Sequence, residues 1–185
     1  MLKKLLPHIA SLAIMLCAGF TLYYFVLNPN SPLKNSNTNY STLSTQSFFD
    51  ANLTNENGVS QNLNQYKGKI IVLNFWATWC PPCREEMPEL SQLYTDYKNK
   101  NVVVLGVAID ELNLVKQFSQ ESPVSYPLLL AEDEGMNLGS KLGNDKDILP
   151  YTVIINEDGV VVETYFGRIN KALIETALRT LLPHS

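Results

Sequence analysis

Apolar residues follow two different rhythms along this chain. Runs at 69–76 and 102–109 are almost continuously apolar, the pattern of strands covered on both faces. Between and after them, over 80–98 and 111–121, apolar residues recur every three or four positions, as on the buried side of a helix. The short run Leu128-Leu129-Leu130 follows. Such alternation predicts parallel strands joined by crossover helices. The last third changes character: Tyr151 to Asn156 and Val160 to Phe166 flank Glu157-Asp158-Gly159 as an antiparallel hairpin, and a helix from about 170 to 182 closes the pattern. Ahead of the first run, Phe48 to Leu53 and Val59 to Leu63 flank Asn57-Gly58, a strong turn dipeptide, and read as another hairpin. A βαβ half followed by a ββα half, in an α/β chain, limits the fold options sharply.

The start of the chain departs from this pattern. Lys3 and Lys4 precede a stretch from Ile9 to Leu27 without a charged residue, followed from Asn28 to about Gln46 by Asn, Ser, Thr and Pro. About 19 residues at roughly 1.5 Å each approach the ~30 Å hydrocarbon thickness, and Tyr23-Tyr24 near one end suit an interfacial position. Three parts are therefore expected: a membrane anchor over 1–27, a flexible linker over 28–46 and a folded domain over 47–185. The lysines place the amino terminus in the cytoplasm and the domain on the extracytoplasmic side of the inner membrane. A cleaved signal peptide is the rival reading, but the run is long for that role and lacks a small-x-small pattern before Asn28. Under either reading the domain is exported into an oxidising compartment.

The 185 residues carry a net charge of −4, and no basic run or basic-aromatic stripe is present, so nucleic acid is not an expected partner. Of the three cysteines, Cys17 falls in the apolar stretch, and Cys80 and Cys83 stand where the first strand gives way to a helix. With Cys80 as N-cap, Pro81 and Pro82 occupy the first two helical positions. Neither proline carries an N–H, so the first donor available to the Cys80 sulfur is the Cys83 amide. A helix N-terminus favours a thiolate, which makes Cys80 the expected nucleophile and Cys83 the resolving thiol. A permanent staple is a poor alternative, since so short a span fastens no distant parts of the chain. Zinc fares little better, because the only histidines are His8 and His184, and no cofactor beyond the thiols is expected. On the following helix the apolar stripe is Cys83, Met87, Leu90, Leu93, Tyr94 and Tyr97, and Glu86 falls on it, while Glu85, Glu89, Gln92 and Asp96 do not. Glu86 is the candidate buried acid that exchanges a proton with Cys83; a boundary glutamate reaching water is the plainer reading. Pro88 lies mid-helix and should kink it.

The segment Asn74-Phe75-Trp76-Ala77-Thr78-Trp79-Cys80-Pro81-Pro82-Cys83-Arg84-Glu85-Glu86-Met87-Pro88 resembles the active-site segment of the TlpA/ResA-like thiol-disulfide oxidoreductases. The likeness extends from about Phe48 to the C-terminus, with Gly68-Lys69, Val107 to Asp110, Leu149-Pro150-Tyr151-Thr152 and Asn156-Glu157-Asp158-Gly159 as further matches. It implies a thioredoxin fold, with a central mixed sheet flanked by helices, an N-terminal β-hairpin extension and an inserted helix/strand segment. It also implies that Pro150 is a cis-proline opposite the cysteines, leaving the Leu149 backbone to pair with an extended substrate; an ordinary trans turn is what the residues alone would suggest. Trp79, Pro81, Pro82, Leu149 and Pro150 are thus the candidate substrate-binding residues, and Cys80, Cys83 and Glu86 the catalytic ones. One departure stands out: thioredoxins carry an aspartate where this chain has Asn74, and an amide cannot shuttle a proton.

The resemblance implies an enzyme that reduces disulfides in exported proteins and is recharged by a transmembrane thiol-reductase. Relatives of this kind serve cytochrome c maturation. The reverse direction, a dithiol oxidase or isomerase, uses the same residues and differs only in reduction potential. A copper-carrying or partner-binding protein is the alternative outside redox catalysis. Peroxidase activity is disfavoured, since the proline-threonine-cysteine spacing it uses is missing around Cys80.

Overall fold

Seven consecutive buried residues, Ile70–Trp76, can satisfy their backbone groups only by pairing along both edges. The computed structural model, which describes residues 14–20, 33–34, 40 and 43–182, places them at the centre of an eight-stranded sheet. In chain order the elements are α1 (14–20), β1 (Leu33–Lys34), α2 (Gln46–Phe49), β2 (Asn52–Asn55), β3 (Ser60–Asn62), β4 (Ile70–Trp76), α3 (Pro81–Tyr97), β5 (Val102–Ala108), α4 (Leu112–Glu121), β6 (Leu128–Leu130), α5 (Glu132–Lys141), β7 (Tyr151–Ile155), β8 (Val161–Phe166) and α6 (Lys171–Leu181). The strand order is β1-β8-β7-β4-β5-β6-β2-β3. β4, β5 and β6 run parallel, and β7, β8 and β2 join antiparallel, so the sheet is mixed, as the resemblance implies.

Alternation along β4 divides the core in two. Ile70, Val72 and Trp76 meet Met87, Leu90 and Leu93 of α3, Val115 and Phe118 of α4, and Ile174 and Leu178 of α6. Ile71, Leu73 and Phe75 face the other side, with Phe48 and Phe49 of α2 and Leu138 of α5. Burying each large apolar side chain stabilises the fold by about 1.5–3 kcal/mol before the entropy of ordering is counted.

Several boundaries differ from the sequence reading. Phe48 and Phe49 form the short helix α2 instead of opening a strand, because both rings are then buried on one side of the sheet; the hairpin begins at Asn52. Helix α5 has no counterpart in the periodicity. Leu33–Lys34, within the segment read as linker, pairs with Phe166 and Tyr165 of β8. The chain divides into two compact units, 1–31 and Pro32–Ser185. Apart from 14–20, the anchor expected over 9–27 lies outside the described residues. Residues 14–20 are helical and exposed, Cys17 among them, and no described helix is long and apolar enough to cross a membrane.

Candidate active site

The end of β4 is stitched to the end of β5 just before the cysteines. Ile109 N–H donates to the Trp76 carbonyl at 2.9 Å, and the Thr78 N–H and hydroxyl donate to Asp110 Oδ2 at 2.6 and 2.8 Å. From this clamped turn the chain reaches Cys80, which caps α3 in an extended conformation with Pro81 and Pro82 as the next two residues. The Cys83 N–H donates to Cys80 Sγ at 3.3 Å. Cys80 and Cys83 are joined as a disulfide with Cα atoms 5.3 Å apart. Cys83 is fully buried and Cys80 is 4% exposed, while Trp79 beside them is 67% exposed and Pro81 and Pro82 are exposed. Pro88 is carried inside α3, which continues to Tyr97.

Glu86 is fully buried on the α3 stripe, one turn beyond Cys83. Its Oε1 accepts from Asn74 Nδ2 at 2.7 Å and its Oε2 from the Ile169 N–H at 2.8 Å. Asn74 Nδ2 also donates to Thr152 Oγ1 at 3.0 Å, across the β4–β7 pairing. Burial pushes the Glu86 carboxyl up to about 8, against the Ile169 N–H, the Asn74 amide and the Arg168 charge, which pull it down. The group can therefore gain or lose a proton near neutrality. Asn74 itself holds no exchangeable acid, and its position in the core makes it a donor to the acid on α3.

The Leu149–Pro150 peptide is cis. β7 begins at the next residue and pairs Tyr151 with Phe75, so this bond lies at the same end of the sheet as the cysteines. Half-buried Leu149 packs against the cluster that contains both sulfurs. The polar face of α3 is not simply solvated. Glu85 pairs with Arg168 at 3.3 Å, Glu89 accepts from the Lys171 N–H at 2.9 Å, and Asp96 meets Lys171 Nζ at 2.9 Å. A groove bounded by Pro81, Arg84, Met87, Phe118 and Val124 runs from the cysteine turn between α3 and α4.

Sequence reasoning did not single out Asp110, Thr152, Tyr126 or the Ile169 amide. The strand register could have brought Thr152 beside Asn74, and Asp110 stands just past a strand end. Nothing local marks Ile169, which meets Glu86 across 83 positions of sequence.

A family model described as the AhpC/TSA family matches residues 45–164. The thiol-disulfide oxidoreductase ResA of Geobacillus kaustophilus is 30% identical over 183 residues, 98% of this chain and 98% of its own length. The protein of the same name from Halalkalibacterium halodurans is 34% identical over 129 residues, 69% of this chain and 71% of its own. Among solved structures, a thiol:disulfide interchange protein of the thioredoxin family from Chlorobium tepidum TLS superposes with a TM-score of 0.65 at 25% identity, covering 72% of this chain and 93% of that one.

Proposed function

The chain belongs to the AhpC/TSA family, among its TlpA/ResA-like thiol-disulfide oxidoreductases of thioredoxin fold, and from that membership we propose that it reduces disulfides in exported proteins through Cys80 and Cys83. The observation that carries this reading is the donation of the Cys83 N–H to Cys80 Sγ at a helix start where Pro81 and Pro82 contribute no donor. That arrangement concentrates the helix-terminal field on one sulfur and favours its thiolate.

In the forward direction the Cys80 thiolate attacks one sulfur of a client disulfide. The client S–S bond breaks, its second sulfur leaves as a thiolate and takes up a proton, and a Cys80–client disulfide forms. Cys83 then gives its proton to the Glu86 carboxylate, and the Cys83 thiolate attacks Cys80 Sγ. The Cys80–client bond breaks, the client sulfur that Cys80 first attacked is released and protonated, and the Cys80–Cys83 disulfide is left. Two electrons and two protons from a dithiol donor restore the enzyme. Trp79, Pro81, Pro82, Leu149 and Pro150 are assigned to the edge that meets the client.

In an oxidising compartment the electrons must come from the cytoplasm, so a transmembrane thiol-reductase is the proposed donor. The apolar stretch over 9–27 is proposed to anchor the domain on the extracytoplasmic side of the inner membrane. Cysteines of apocytochrome c awaiting haem are the proposed clients.

Trapping tests the reading. Cys83→Ser should accumulate a mixed disulfide at Cys80 that releases its partner on reduction, and Cys80→Ser should trap nothing. Equal trapping by both variants overturns the assignment of the nucleophile. A reduction potential near ~−120 mV, at the strongly oxidising end of thiol enzymes, overturns the reductase direction.

A further inference from the structure

Three buried polar atoms beside the Glu86 network have no hydrogen-bond partner among the described residues: Asn74 Oδ1, Trp76 Nε1 and Tyr126 Oη. Asn74 and Trp76 stand two residues apart on β4 and so face the same side of the sheet. On the neighbouring strand, Asn74 is opposite Gly106, and the missing side chain there lets two rings approach. A Cβ at Gly106 would lie 3.0 Å from Tyr126 Cε2 and 3.2 Å from Trp76 Nε1. The Trp76 indole nitrogen and the Tyr126 ring therefore border the small region over Gly106, and Asn74 is the residue in register with it on β4. Their chemistry is complementary: the indole N–H only donates, the amide oxygen only accepts, and the phenol does either. Leaving such groups bare in an apolar core is unfavourable, so each calls for a partner.

We infer that these three groups bind one buried water, which accepts from Trp76 Nε1–H, donates to Asn74 Oδ1 and makes its third bond with Tyr126 Oη. Three bonds is the usual complement of an internal water. With Oδ1 held by a donor, the Asn74 amide is fixed with Nδ2 toward Glu86 and Thr152; the flipped amide would point its N–H groups at the water and the indole N–H. The water thereby presets Asn74 as a donor to the Glu86 carboxylate, and Tyr126 is a positioning residue acting through Asn74. This role rests on the reading of Glu86 as the proton-handling group. Among the described residues, Arg168 between β8 and α6 and Tyr126 before β6 interact electrostatically with Glu86, Cys80, Cys83 and Tyr165 share its core cluster, and Asn74 of β4 and Thr152 of β7 are its polar, non-titrating neighbours.

Nuclear magnetic resonance on the whole oxidised protein tests the site. The Trp76 indole proton, distinguished from that of Trp79 with a Trp79→Phe variant, should show an Overhauser contact to a long-lived water. Tyr126→Phe removes one anchor, so Asn74 donates less firmly and the Glu86 midpoint, followed by its carboxyl carbon shift, should rise by about one pH unit. In a Glu86→Gln background the same change should leave the pH profile of thiol reactivity unmoved. A wild-type Trp76 indole proton without a water contact overturns the site, and an unmoved Glu86 midpoint in Tyr126→Phe overturns the positioning role. A thiol pH profile indifferent to Glu86→Gln would instead remove the proton-handling reading, leaving the water measurement to stand or fall on its own.

Discussion

A carboxyl group that is wholly buried, yet holds an N–H donor on each oxygen, is balanced between its two protonation states. Glu86 is in this position: burial drives its pKa up to about 8, and the Ile169 N–H, the Asn74 amide and Arg168 limit the rise. In the proposed role its carboxylate form, the minor one at pH 7 and the larger share above pH 8, takes the Cys83 proton as the mixed disulfide resolves and returns it when the pair is reduced. Glu86→Gln keeps the shape and removes the titration. Resolution of the mixed disulfide should slow by about tenfold or more, and the inflection near pH 8 should vanish from the alkylation profile of the reduced pair. An unaltered profile would make Glu86 a packing residue. At this scale the sequence was readable wherever the chemistry is local: Cys80, the two prolines, Cys83 and Glu86 lie within one run of helix, and spacing alone puts the acid on the buried stripe. Asn74 could be seen to depart from the thioredoxin aspartate, but its bonds to Glu86 and Thr152 depend on folding across 12 and 78 positions.

Among the elements, those with a strong period were legible and those defined by close approach were not. β4, β5 and α3 appear in the expected places because their burial is continuous or strictly helical. Helix α5 was missed because its sequence, with Gly135 and Gly139, has weak helical preference and its N-cap Ala131 supplies no side-chain bond. Gly135 is placed by packing instead. A Cβ at Gly135 would come within 3.0 Å of Ile109 Cγ1, so a bulkier residue would hold the helix off the sheet. Gly106 on β5 is tighter still: a Cβ there would meet Leu128 Cδ2 at 2.9 Å, with Tyr126 and Trp76 close behind. Gly106→Ala should therefore lower stability by about 1–3 kcal/mol in denaturant titrations, through overpacking. A change within a few tenths of a kcal/mol would show that the three side chains yield easily. The α3 face read as polar also acquired a role only in the fold, where Glu85, Glu89 and Asp96 receive the β8–α6 segment.

For the whole molecule, the buried acid makes stability depend on pH in an unusual sense. Below about pH 4.5 Glu86 is protonated in the folded and the unfolded chain alike; between there and about 8 only the folded chain holds the proton. Unfolding then releases a proton, so this contribution weakens as pH rises through that window and is constant above it. The ceiling on the loss is about 5 kcal/mol. Oxidised wild-type protein should be more stable to denaturant at pH 5 than other carboxylates alone would allow, and Glu86→Gln should flatten the difference between pH 5 and pH 8. Equal slopes for the two proteins would mean that Glu86 reaches water in the folded state. The bond from the Ile169 amide to Glu86 adds a matter of timing. A chain made from its amino end presents the two sulfurs long before the β8–α6 junction, so a partly made chain has its cysteines without the backbone donor that Glu86 Oε2 holds in the finished fold. Only when that junction docks does Glu86 gain its second donor, so under its proposed role full activity arrives as a late event in the protein's own biogenesis.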